Sequence, residues 1–185
     1  MFNERKVAQM AAFFLQQAGG TLNILKLMKL LYLSEREAMN RYGEPLSYDA
    51  MVSMPHGPVL SMTYECMNGY GSEDPEGWDG WVSDKENHAV SLRRENTDIT
   101  DLDELSDADI EVLQSVWDSF GHMTKWQVRN YTHTYCSEWK DPNGSSYPIE
   151  YKDVFIALGK DQTIAKELQD NILANKQAAR LFSSL

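Results

Sequence analysis

Apolar residues recur at intervals of three and four along most of this chain, and glycine, proline and capping residues mark the breaks between the runs. Val7, Met10, Ala11, Phe14 and Ala18 give a first helix one buried face. Asn3 is its N-cap, Phe2 and Val7 occupy the two positions of a hydrophobic staple, and Gly19-Gly20 ends it. A second helix, from about Leu22 to Tyr42, is apolar over most of its circumference. Ile24, Leu27, Met28, Leu31, Ala38 and Met39 form one stripe, and Leu25, Leu30 and Leu33 widen it. A helix of that kind must be covered on several sides, which predicts the spine of the core. Its polar stripe carries Lys26, Lys29 and Arg36, a basic ridge expected to pair with the chain's own acids or, as the alternative, to contact a partner.

Gly43 and Pro45 stop that helix. Ser47 to Met54 alternates loosely enough for a short strand or an extended segment. Pro55-His56-Gly57-Pro58 predicts a rigid turn, with Pro58 in the first position of a new helix that continues through Val59, Met62, Thr63, Cys66 and Met67. The glycines, acids and proline from Gly71 to Gly80 indicate an exposed loop, yet Trp78 lies in it and Trp81 follows. Those two tryptophans are either a lid packed onto the core or an aromatic anchor for a partner. Residues 81–83 and 88–92 read as a small hairpin, with no larger sheet expected. Helical periodicity then returns: Ser106 with Asp109 caps a helix ending at Gly121, another runs from about Thr124 to Tyr135, short segments cover Tyr151 to Leu158, and Asp161 caps a last helix reaching about Leu181. The pattern predicts a mainly α, compact single-domain helical fold over residues 1–185 with a small β-hairpin.

Charge narrows the function classes. The chain of 185 residues has a formal net charge of −11, which argues against general binding to a phosphate backbone. From Glu95 to Glu111 there are eight acids and no Lys or Arg, a stretch that reads as a solvated linker into an acidic helix start or as a docking strip for a basic protein. The two cysteines, Cys66 and Cys136, sit among apolar neighbours and read as reduced thiols. With no cleavable leader pattern and no apolar run approaching about 18 residues, the expectation is a cytoplasmic protein that does not enter a membrane.

No catalytic signature stands out. The four histidines, His56, His88, His122 and His133, are dispersed, and only His133 and Cys136 are close neighbours. Two ligands do not make a zinc site, and no strained elbow exposes the thiol as a nucleophile. No cofactor, metal site or enzymatic activity is expected. His133 reads as a structural residue, and His56 as part of a stiff turn. The basic and polar residues from Thr124 to Asn130 leave a DNA-reading helix as a weaker alternative.

An ordered set of segments carries a resemblance. Leu25 to Leu33, Tyr42-Gly43-Glu44-Pro45-Leu46, His56-Gly57-Pro58-Val59, Val116 to Gly121, Tyr131-Thr132-His133 and Glu138-Trp139-Lys140 together resemble the Panacea domain family of SocA- and GepA-like proteins. The resemblance covers about residues 5–160. It implies a mostly helical antitoxin of a bacterial or phage toxin–antitoxin system, whose partner is a cognate toxin encoded by an adjacent gene. The alternatives it implies are an adaptor that delivers its toxin to a AAA+ protease, or a transcriptional regulator. Leu30, Tyr32, Gly57, Pro58, His133 and Trp139 are the structural positions of the family motifs. The chain departs from the commoner family pattern at Met54-Pro55-His56 and in the loop with Trp78 and Trp81. Lys29, Arg36, Tyr48, Met54, His56, Trp78 and Trp81 are therefore the candidate toxin contacts.

Overall fold

Helix α1 (Glu4–Gln17) begins where Asn3 accepts the Lys6 amide at 3.0 Å, and it is buried along its middle from Val7 to Leu15. A short strand β1 (Thr21–Asn23) leads into α2 (Ile24–Tyr42), the longest buried helix. Asn23 caps α2 through the Leu25 amide, and Gly43 closes it in the left-handed conformation, φ 74°. The computed structural model describes residues 2–94 and 97–182. Among these, eight α-helices stand against five strands of three or four residues each, so the fold is mainly α.

Strands β2 (Met51–Met54) and β3 (Gly57–Leu60) form a hairpin, and β5 (Tyr147–Ile149) pairs with the other side of β2. The expected helix start at Pro58 is thus replaced by a strand, and a three-stranded sheet appears where none larger than a hairpin was expected. Pro58 and Pro148 fit because β3 and β5 are the edges, where a missing N–H costs the ladder nothing. The hairpin expected over 81–92 survives only as the isolated bridges Val82↔Leu92 and Glu86↔Ala89. Its second half, β4 (Ala89–Ser91), pairs with β1.

Helix α3 (Ser61–Glu65) starts without a cap from its own sequence. Asp49 supplies one from a distance, its carboxylate accepting from the Met62 and Thr63 amides at 2.9 and 2.8 Å. The short α4 (Trp78–Trp81) carries both loop tryptophans, each 1% exposed, so they pack inward as a lid. Helices α5 (Asp107–Phe120) and α6 (Lys125–Tyr135) each open with a complete capping box, Ser106 with Asp109 and Thr124 with Gln127. They pack along α2, which is also covered by α1, β3 and α7 (Tyr151–Ala157). Helix α8 (Gln162–Phe182) lies on α7, burying Ala165 and Ile172.

The acidic stretch is not a free linker. Its first member, Glu95, lies outside the described residues. Asp103 accepts from the Gln9 amide at 2.7 Å, Glu104 from Asn3 at 3.2 Å, and Asp109 pairs with Lys6 at 2.9 Å. The stretch is docked along α1.

Candidate functional site

A half-open groove of about 650 Å³ runs between the start of α2, the tip of the β2–β3 hairpin and the start of α6. The cap on α2 sets one end of it: the Asn23 side chain and the Ile24 amide both donate to the His88 carbonyl at 2.9 Å, holding the β4 strand beside the helix. The capping box of α6 sets the other end by fixing Lys125 and Trp126 in the first turn. Trp126 is half exposed, with the Lys125 ammonium 5.3 Å and the Arg129 guanidinium 5.6 Å from its ring centre. Met28, Met54 and Val59 are part of the apolar lining.

The hairpin tip is held from behind. The Trp139 indole donates to the Met54 carbonyl at 3.0 Å, and His133 stacks on Trp139 with ring centres 3.9 Å apart. Burial, aided by the nearby cations Arg129 and Lys29, lowers the pKa of His133, so it stays neutral at physiological pH. Beneath the tip, Lys29 is fully buried and donates to the Pro58 carbonyl at 2.7 Å. Loss of hydration brings its pKa down to about 7.

The basic ridge does not behave as one unit. Arg36 finds an acid, Glu138, at 2.9 Å, and the same carboxylate oxygen accepts from Tyr32 at 2.7 Å. Lys26 donates instead to the Gly121 carbonyl at 2.6 Å, and Lys29 to that of Pro58. Of the sequence candidates, Lys29, Met54 and His56 line the groove, with Gly57 in its wall. Arg36 borders a separate recess of about 210 Å³ against α5 and α6. Tyr48 is half-buried, its hydroxyl bonded to Glu44. Trp78 and Trp81 lie in the core. Leu30 is fully buried in the middle of α2.

Sequence reasoning missed Lys85, His88, Lys125 and Trp126 as groove residues. The signal for the last two was present, a threonine cap followed at once by lysine and tryptophan, but it was attached to the DNA-reading alternative.

Burial pushes both thiols, Cys66 and Cys136, up to about 12, so neither supplies a thiolate near neutral pH. Among the described residues no group of three or more His, Cys, Asp or Glu is placed to hold a metal ion, and no helix is long and apolar enough to cross a membrane.

Fold and groove define a mainly helical scaffold that presents an open recess with basic side chains on its rim. Residues 27–140, more than half of the chain, match the family described as antitoxin SocA-like, Panacea domain, and the chain belongs to that family. Membership gives it a role related to toxin–antitoxin systems, points to a toxin as the kind of partner, and suggests a non-catalytic role. No curated protein and no solved structure matches it.

Proposed function

We propose that this chain is an antitoxin that neutralises a cognate protein toxin by binding it directly. In this reading it works as one domain in the cytoplasm, and the toxin is the product of an adjacent gene. The observation that carries the proposal is family membership combined with a groove whose hairpin tip and Trp126 wall both lie inside the matched span. A half-exposed tryptophan beside exposed His56 and half-buried Met54 is the kind of aromatic centre around which binding energy concentrates. The contact surface is therefore centred on Met54, His56 and Trp126. Lys29 supports it from beneath the hairpin tip.

The test is growth rescue. Each neighbouring gene is expressed alone and with this chain, and the pair is co-purified. Relief of toxicity by a stoichiometric complex, with the toxin level unchanged, is the expected result. Relief accompanied by loss of the toxin that depends on a AAA+ protease would replace blockade with delivery. The absence of any rescued neighbour would overturn the antitoxin reading.

A further inference from the structure

The groove has a charge character opposite to that of the protein around it. Acids outnumber Lys and Arg by 28 to 17 in the chain, yet among the described residues the groove lining contains Lys29, Lys85, Lys125, His56 and His88 and no Asp or Glu. Elsewhere among the described residues, cations such as Arg5 with Asp74 and Lys152 with Glu150 are ion-paired. Lys85 and Lys125 have no carboxylate partner among the described residues. The Lys85 ammonium bonds the Asn68 amide oxygen at 2.6 Å, and that of Lys125 lies over Trp126. Asp84, next to Lys85 in the chain, is turned towards Arg93 at 3.4 Å.

We infer that the groove takes an acidic, apolar segment of a partner protein. Its carboxylates would meet Lys85, Lys125 and the rim histidines, and its aliphatic side chains would lie on Met28, Met54, Val59 and the face of Trp126. This rests on the antitoxin reading, with the toxin as the source of the segment. Three features favour a polypeptide over a small anion. Lys85, His56 and His88 are exposed on the rim and do not converge at depth, the one fully buried cation of the lining, Lys29, is already committed to the Pro58 carbonyl, and the two methionines of the lining adapt to more than one side-chain shape. The overall negative field repels an acidic chain at long range, so recognition depends on local complementarity and on short-range apolar contact.

The experiment uses the full chain and a short fluorescein-labelled peptide alternating Glu with Leu, beside the same peptide with Lys in place of Glu. Anisotropy reads binding, and the indole N–H signal of Trp126, assigned by comparison with Trp126→Phe, reports where it occurs. The acidic peptide is expected to bind and shift that signal, while the basic one does neither. Lys85→Glu combined with Lys125→Glu should weaken binding about tenfold or more, with the circular dichroism spectrum unchanged and with Lys166→Glu, on the exposed face of α8, behaving as the wild type. No binding of the acidic peptide, equal binding of the basic one, or an equal loss in Lys166→Glu would overturn the assignment. If no neighbouring toxin is rescued but the acidic peptide binds as described, the antitoxin reading falls and the groove assignment stands. If a toxin is rescued and held equally well by the double variant, the toxin sits elsewhere and the groove assignment falls.

Discussion

Gly57 lies directly over Lys29. A Cβ built at residue 57 would sit 3.0 Å from the lysine Cε, 2.9 Å from Thr132 Oγ1 and 3.2 Å from the His133 ring, and its φ of +98° is a conformation that residues with a side chain resist. Gly57→Ala is expected to destabilise the fold by about 2 kcal/mol, the sum of backbone strain and displaced neighbours. Gly144→Ala, at φ +88° with nothing within 4 Å, separates the two effects and should cost only the backbone part, about 1 kcal/mol. Urea unfolding of both variants measures the difference, and equal losses would mean that the cover over Lys29 yields easily.

Lys29 makes stability depend on pH in a defined window. Its pKa is about 7 in the folded state and near 10.5 when unfolded, so between those values the unfolded chain binds more protons and stability rises with pH. Lys29→Met removes this dependence. The wild type should gain on the variant by a few kcal/mol between about pH 7 and 10.5. A constant difference across that range would show that the ammonium stays charged in the fold. Glu35 acts on the acid side. Its pKa is raised to about 7 by burial, although it accepts from Leu46 and Ser47, so its contribution is complete below about pH 4.5 and is lost as pH rises through 7.

Arg36 and Glu138 form a partly buried pair, the glutamate side chain having no exposed surface. Arg36→Ala leaves that carboxylate without its cation and should cost about 3 kcal/mol. Tyr32→Phe removes one hydrogen bond to the same oxygen and should cost about 1–2 kcal/mol. Because all three share one network, the Arg36 and Tyr32 losses should not add in the double variant, and additivity in chemical denaturation would contradict the shared oxygen.

Two tryptophans should behave in opposite ways. Trp126→Ala, at 50% exposure, should change stability by less than about 1 kcal/mol while weakening the toxin complex. Trp78→Ala empties a core position and should cost about 3–5 kcal/mol, with any loss of neutralisation following from unfolding. Thermal melts read beside co-purification yields distinguish the two.

The helices were legible because their signals are local. Asn3, the Gly19-Gly20 stop, Gly43 and the Ser106 box fix ends of α1, α2 and α5 within a residue or two of where they fall. The sheet was not legible, because β2 takes one partner across a two-residue turn and the other from the far end of the chain, Met51 facing Ile149. Pro58 has the same local fitness for a helix start and for an edge strand, and only the partner decides. Helical spacing correctly put Lys29 in line with Lys26 and Arg36, but whether a stripe meets water depends on what folds over it, here the hairpin tip. The Asp49 cap on α3 and the exposure of Trp126 are likewise products of tertiary contact.

The docking of the acidic stretch along α1 also has a consequence for synthesis. Helix α1 is finished by residues about a hundred positions further on, through Gln9 with Asp103, Lys6 with Asp109 and Phe14 against Trp117 at 6.3 Å. At roughly 5–20 residues per second, the ribosome takes on the order of 5–20 s to make that intervening chain. For that interval Phe14 lacks the Trp117 ring that covers it in the finished fold, so α1 completes its packing only after α5 has been made. A slow codon between residues 14 and 117 is therefore expected to lengthen that interval without changing a single contact in the finished structure.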